Sequence, residues 1–267
     1  MPYIKKTYRY KNVIEVERIH AGRLGKGGCR EERKLPTPEK MEKINERNVI
    51  RKLRRLIHAN FEPEDLWLTL TYRRENRPAP EAAARKIKKY IDRMRAAWRK
   101  QGAELKYIVV TEYKNKAIHH HLILNDLPDG RGAKLAAQKW TEGGTHCKFL
   151  YEDGEYELLA AYIVKETNKS FRDPDNPAKC RYSRSRNLVE PQPERRVMKR
   201  DDWPEEPRPP KGFFLDKESL HNGVNRLGYK YQYYRLLRLP GPAGKKGKGN
   251  GDKGRKRKNN TERDAGD

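Results

Sequence analysis

The sequence predicts an α+β fold, an antiparallel sheet with helices packed on it, on three observations. Short runs rich in β-branched and aromatic residues, "DLWLTLTY" (65–72), "ELKYIVVTEY" (104–113) and "AIHHHLILND" (117–126), read as strands. Longer stretches with apolar residues at helical spacing separate or flank them. The two kinds of segment alternate as strand, helix, strand, strand, short helix, strand, helix. That order is close to the ferredoxin-like pattern, with helices on one face of the sheet.

Taken along the chain, residues 1–36 look extended, with "NVIEVERI" alternating as a strand, followed by the Gly- and Lys/Arg-rich loop "GRLGKGGCREERK". Thr37-Pro38 suits a helix start, because Thr can cap and Pro is tolerated at the first helical position. Met41, Ile44, Val49, Leu53, Leu56 and Ile57 then follow a helical period, which leaves Arg47, Arg51, Arg54 and Arg55 outward. Pro80 opens a second helix with Ile87, Ile91, Met94 and Trp98 on one face and Gly102 at its end. Strands at "ELKYIVVTEY" and "AIHHHLILND" are joined by a tight turn at Asn115-Lys116. A short helix at 131–142, a strand at "HCKFLY" and a helix at 155–169 complete the core. Beyond it come the basic, Pro-rich "RDPDNPAKCRYSRSRNLVEPQPERR" and the linker "DDWPEEPRPPKG". A last strand at 227–239 is expected to pair with the N-terminal one, and 240–267 is low-complexity and disordered. The expected division is an N-terminal basic extension and helix (1–60), a core (61–190), a linker with a C-terminal strand (191–240) and a basic tail (241–267).

Charge narrows the function. Lys and Arg number 62 against 37 Asp and Glu, a net +25. The tail from 241 carries nine basic and four acidic residues, +5, so the body keeps +20. A balance of that size points to nucleic acid, whose phosphates reward each neutralising cation by counterion release. No apolar run approaches the roughly 18 residues of a membrane span, and "MPYIKKTYRY" holds no signal-peptide core. Cys29, Cys147 and Cys180 are odd in number and far apart, so they read as reduced thiols in a cytoplasm. No P-loop motif occurs, so a helicase would be a separate protein.

The three consecutive histidines carry the most specific chemistry. Side chains alternate across a strand, so His119 and His121 share one face and His120 takes the other. Such a pair can be ordinary surface or hydrogen-bonded histidine, or it can hold a metal. If Asn115-Lys116 is a two-residue turn, paired residues have numbers summing to 231. Glu112 then lies opposite His119 on the same face and completes a metal set. A one-residue slip would turn Glu112 away. Two imidazoles and a carboxylate suit a divalent ion with open coordination positions, Mn²⁺, Mg²⁺ or Zn²⁺. On the 155–169 helix, Tyr162 and Lys165 share a face with Lys169, beside the packing stripe of Tyr156, Leu159, Ala160 and Ile163. A cation near Tyr162 favours the phenolate, the attacking form, although a helix Tyr can equally be a packing residue.

"LWLTLTY", then "HHHLIL", then "YIVK" resembles the three ordered motifs of the HUH (His-hydrophobe-His) endonucleases, and within them the rolling-circle replication initiators of bacterial plasmids and filamentous-type phages. "KLRRLIHANF" and "RYSRSRNLVEP" are similar to segments that flank this core in related proteins, so the resemblance spans roughly residues 10–190. One departure is His120, which stands where the family has a hydrophobe; a register with His120 as ligand stays open. The resemblance implies a divalent metal, Mn or Mg, on Glu112, His119 and His121. It implies attack by Tyr162 on single-stranded or hairpin origin DNA, with Lys165 assisting, to give a 5′-phosphotyrosine and a 3′-OH primer for a host polymerase and helicase. Leu158 and Glu166 leave no Tyr-x-x-x-Tyr pair, so one tyrosine acts. Arg47, Arg51, Arg54, Arg55, Lys169, Arg181, Arg184 and Arg186 are candidate phosphate contacts. The alternatives are a single-tyrosine HUH transposase, a relaxase, and a non-catalytic nucleic-acid-binding protein.

Overall fold

The computed structural model describes residues 2–20, 39–113, 117–151, 155–171, 180–224 and 228–239; the side chains of 39–41 and 169–171 fall outside that description. The Thr37-Pro38 helix start, the 22–34 loop with Cys29, the Asn115-Lys116 turn and the 241–267 tail lie outside the described residues. In chain order the elements are β1 (Tyr3–Arg9), β2 (Val13–His20), α1 (Glu39–Asn60), β3 (Leu66–Thr71), α2 (Pro80–Lys100), β4 (Tyr107–Glu112) and β5 (His119–Leu124). They continue with α3 (Gly132–Lys139), β6 (Thr145–Phe149), α4 (Glu157–Phe171), β7 (Ser183–Arg184), β8 (Glu194–Met198), β9 (Phe213–Val224) and β10 (Lys230–Arg238).

The central sheet has the order β6-β3-β5-β4-β7, all antiparallel. Its first four strands, with α2 and α3, make the βαββαβ arrangement expected of a ferredoxin-like core. Alternation decides what each face buries. Leu66, Leu68 and Leu70 of β3, Leu122 and Leu124 of β5 and Tyr107 and Val109 of β4 pack with Ile87, Tyr90, Met94 and Trp98 of α2 and Ala136 of α3. Pro80 stands at the start of α2, and Gly102, just past its end, has φ +72°, a conformation that glycine adopts without a Cβ penalty.

The expectation of helices on one face is incomplete. Ile108, Val110 and Ile123 point to the other face, where Leu53, Leu56 and Ile57 of α1 and Leu159, Ala160, Ile163 and Val164 of α4 cover them. Each such buried aliphatic side chain contributes about 1.5–3 kcal/mol. With α1 and α4 added, the sheet is covered on both sides.

The larger correction concerns the segments expected as extension and linker. β1, β2, β8, β9 and β10 form a second antiparallel sheet in the order β8-β1-β2-β10-β9. Pairing of β10 with the N-terminal strand β2 agrees with expectation. β8 and β9 do not agree with the reading of 191–240 as a linker with a single strand. Both are edge strands; β8 is mostly exposed, and β9 is mostly half-buried or exposed. Main-chain pairing to β1 and β10 holds them, with Phe213, Leu215 and Leu220 of β9 packed on the second sheet, and no sustained apolar alternation marks them in the sequence.

Helix α1 lies between the sheets. Its apolar side meets the central sheet, and its arginines meet the second sheet. Arg54 is 1% exposed and pairs with Glu15, itself 0% exposed, at 2.7 Å, and with Glu157 of α4. Arg55 pairs with Glu15 at 2.8 Å and Glu17 at 2.6 Å, and Arg51 lies 3.6 Å over the ring of Tyr233. Burial pushes the Glu15 carboxyl upward, but Arg54 and Arg55 outweigh it and hold it below the usual carboxylate range. The outward arginine face expected of this helix is therefore, for Arg51, Arg54 and Arg55, the seam between two sheets. Of the four, Arg47 is the exposed one.

His58, also on α1, sits between the rings of Tyr10 and Tyr156, each with its centroid 4.8 Å away. Burial lowers its pKa to about 3, with Glu15 opposing and Arg54 and Arg235 adding to the depression. Between about pH 3 and 6.5 the unfolded chain binds a proton at this residue and the folded chain does not. Stability therefore falls as pH drops through that window, by about 1.4 kcal/mol per pH unit from this group. Urea titrations at pH 7 and pH 5 should show a smaller loss for His58→Phe than for the wild type. An equal loss in both would dissociate His58 from the acid sensitivity.

Candidate metal centre and its tyrosine

The β4–β5 register is the one on which the metal set depends. Glu112 is opposite His119 and Val110 is opposite His121, so the numbers sum to 231 as the hairpin reading requires. β3 adds a third row, with Thr71 opposite His119 and Thr69 opposite His121. His119, His121, Glu112, Trp67 and Thr69 thus share the face covered by α4.

On that face the ligand atoms converge. Glu112 Oε2 is 3.1 Å from His119 Nε2 and 3.8 Å from His121 Nε2, and the two Nε2 atoms are 3.1 Å apart. His119 Nδ1 is 2.8 Å from the carbonyl oxygen of Ala117. A carbonyl only accepts, so Nδ1 of His119 carries the proton, and its Nε2 presents a lone pair when the ring is neutral. His121 Nδ1 is 3.0 Å from Thr69 Oγ1, which can accept its proton and leave Nε2 as the free donor atom there too. Two lone-pair nitrogens facing each other beside a carboxylate 2% exposed can share a cation between them. Ligand atoms at neighbouring corners of an octahedral ion with bonds of about 2.1 Å stand about 3 Å apart. Two of the three separations match that figure. The donor set therefore fits a divalent ion with open positions.

His120 behaves as the bystander that alternation predicted. It is 0% exposed on the opposite face, with Nε2 2.8 Å from the Tyr72 hydroxyl and Nδ1 2.8 Å from Thr111 Oγ1. Both nitrogens are engaged away from the cluster, so the register with His120 as ligand is not the one the chain adopts. Burial lowers its pKa to about 3, so it is neutral at ordinary pH.

Tyr162 reaches the cluster from α4. Its hydroxyl lies 3.3 Å from His121 Nε2, the atom that also faces Glu112 and His119. The side chain is 37% exposed, so solvent and a bound strand can reach it. Lys165, one turn on, is exposed. Lys169 lies on the same helix, its side chain outside the described residues.

Two residues to which the sequence assigned no role support this group. The ring of Trp67 stacks on His121 at 5.0 Å with planes 10° apart, and stands edge-on to Tyr162 at 6.4 Å. Thr69 holds the outer nitrogen of His121. Alternation in "LWLTLT" puts both on one face, but the β3–β5 pairing joins strands far apart in sequence and cannot be counted from a hairpin. Outer hydrogen bonds of this kind fix the tautomer of a ligating histidine and typically govern 10- to 100-fold in metal affinity. Thr69→Val should weaken Mn²⁺ binding by about that factor, while Thr69→Ser should keep it, as read by calorimetric titration of the metal. Equal affinity in the Val variant would remove Thr69 from the centre.

The remaining candidates lie elsewhere. Arg184 pairs with Glu190 on the exposed edge at β7, Arg186 is exposed, and Arg181 is half-buried. Among the described residues no helix is long and apolar enough to cross a membrane.

Fold and site together define an α+β protein with an open two-histidine, one-carboxylate cluster and a tyrosine against it. The family whose model matches the chain is replication-associated protein ORF2/G2P, over residues 65–170. That segment runs from the start of β3 into α4 and contains Glu112, His119, His121 and Tyr162. The match supports a replication-initiator family for this segment. No curated protein and no solved structure matches the chain.

Proposed function

We propose that the protein initiates rolling-circle replication by nicking and rejoining single-stranded origin DNA through a 5′-phosphotyrosine intermediate, as an HUH-type endonuclease with a single tyrosine. The observation that carries this reading is the 3.3 Å approach of the Tyr162 hydroxyl to His121 Nε2 within the Glu112–His119–His121 group. The match of residues 65–170 to the replication-associated family supports it independently.

A divalent ion held by Glu112, His119 and His121 would supply Lewis-acid polarisation of the scissile phosphate. Tyr162 is the nucleophile: its phenolic oxygen forms a bond to phosphorus as the bond from phosphorus to the 3′ oxygen breaks. The phenol loses its proton and the departing oxygen gains one, so the product is a tyrosyl 5′-phosphate and a free 3′-OH. One phosphodiester replaces another, and attack by a 3′-OH on the tyrosyl phosphate rejoins the strand. Lys165, exposed one turn from Tyr162, adds positive charge where the phosphate oxygens crowd. The 3′-OH then primes a host polymerase, with strand separation left to a separate helicase.

The test is covalent. The protein, incubated with labelled single-stranded origin DNA and Mn²⁺, should give a protease-sensitive adduct on a denaturing gel. A chelator, or His119→Ala, should abolish the adduct and spare most of the salt-sensitive binding, which is chiefly electrostatic. Failure of the wild type to form an adduct on any hairpin-bearing DNA of its own replicon would leave a non-catalytic DNA-binding protein.

A further inference from the structure

The second sheet carries a row of cations that the nicking site does not use. Lys5 of β1 stands directly opposite Arg18 of β2 on one side and Arg196 of β8 on the other. Gln232 of β10 and Asn222 of β9 continue the same row across the sheet. Neighbouring strands are about 4.8 Å apart, so three positive side chains lie within about 10 Å. Like charges directly opposed across strands are destabilising, and this row has two such oppositions side by side.

Alternation puts the row on the face turned away from α1. Glu15, Glu17 and Tyr233, which meet the helix, are on the other face. The local charge is not neutralised from within. Arg9 adds a fourth cation, and Glu194, the carboxylate that pairs with Arg196, lies 3.6 Å from Arg9. Arg18 donates to neutral acceptors, Gln232 Oε1 at 3.0 Å and the Tyr234 hydroxyl at 3.1 Å. These bonds fix the guanidinium and leave its charge uncompensated; its Nε–H is buried without an acceptor among the described residues. Among the described residues no carboxylate bonds Lys5, and burial with Arg18, Arg9 and Arg196 holds its ammonium below the ordinary range.

We propose that the Arg196–Lys5–Arg18 row is a second phosphate-binding surface, seating the backbone of duplex DNA on the face opposite the α1 seam. The neighbouring groups favour duplex over single strand. Single-strand surfaces stack bases on open aromatic rings, whereas Tyr3, His20 and Tyr234 beside this row are buried. Base reading is also absent from it. The Gln232 amide donates to Pro204, Glu205 and Asn222, and the Asn222 amide donates to Glu205, so neither is free to read an edge. The contact is therefore independent of sequence and of the chemistry at Tyr162.

The full chain is titrated by fluorescence anisotropy with a short duplex, and with its single strand, across a salt series. Lys5→Gln/Arg196→Gln should flatten the log-log salt slope for duplex by about 1.8, two phosphate contacts at about 0.9 each. Lys5→Arg/Arg196→Lys should keep the slope, which separates charge from fold. Lys88→Gln/Lys89→Gln, an equal charge loss on the exposed side of α2, should leave it unchanged. An unaltered slope in the first variant, an equal change in the α2 control, or a loss confined to single-stranded DNA each overturns the proposal. Adduct formation on a short single strand tests the nicking reading separately and should be unaffected by these substitutions.

Discussion

Tyr162→Phe is expected to abolish covalent attachment to DNA while leaving the fold and non-covalent binding intact. The substitution removes one oxygen, the atom 3.3 Å from His121 Nε2, and keeps the ring. That ring makes edge contacts with His121 at 5.6 Å and Trp67 at 6.4 Å, and both survive in phenylalanine. Because the side chain is 37% exposed, loss of the hydroxyl should change stability by no more than about 0.5 kcal/mol. Removal of a nucleophile costs on the order of 10⁴-fold or more in rate, which on a gel is the disappearance of the adduct band. The comparison is made at matched DNA occupancy, so binding and chemistry separate. An adduct at wild-type level would assign the nucleophile to another of the fifteen tyrosines. It would leave the Glu112–His119–His121 group in search of a different partner.

Glu15→Ala should be the most destabilising single change in the seam between the sheets, costing about 3–5 kcal/mol. Glu15 is 0% exposed and accepts from both Arg54 and Arg55, and the Tyr233 hydroxyl lies 3.3 Å from its Oε2. Truncation leaves the Arg54 guanidinium, 1% exposed, facing an apolar methyl, with Glu157 as its ion-pair partner and Glu155 acting at longer range. The penalty is chiefly that of a buried charge with too little compensation, not the worth of the ion pair itself. Glu15→Ala combined with Arg54→Met should therefore recover part of the loss, although each removes a bond. Urea unfolding of the two single variants and the double variant gives the coupling directly. If Glu15→Ala alone costs under about 1 kcal/mol, the seam does not depend on this pair.

The same seam explains where reading the sequence succeeded and where it failed. The periodicity of α1 was legible, including its apolar stripe through Leu53, Leu56 and Ile57. What its opposite side faced was not. Arg47, Arg51, Arg54 and Arg55 look alike as letters, and a basic helix face in a chain of net charge +25 reads as a phosphate surface. Glu15, 39 residues earlier on a strand of another sheet, turns Arg54 from a candidate DNA contact into a buried structural ion. Conversely, Lys5, Arg18 and Arg196 drew no attention, because 178 residues separate Arg18 from Arg196 and only the β8-β1-β2 pairing brings them into one row.

What the sequence by itself determined is local and periodic. Alternation divided His119 and His121 from His120, and the sum rule of an expected two-residue turn put Glu112 opposite His119. Helical spacing put Tyr162 at the edge of its buried stripe, and element order predicted the ferredoxin-like core. The placements of these side chains depend on neighbours within one hairpin or one helix, where geometry follows from residue spacing. Tertiary structure alone decided the rest. It brought the Tyr162 hydroxyl to His121, set Trp67 and Thr69 behind that imidazole, covered the second face of the sheet with α1 and α4, and added β8 and β9 at the edges of a second sheet. Those contacts come from pairings between distant strands. They are selected by burial and backbone hydrogen bonding over the whole chain, and no short window of residues contains the competing surfaces.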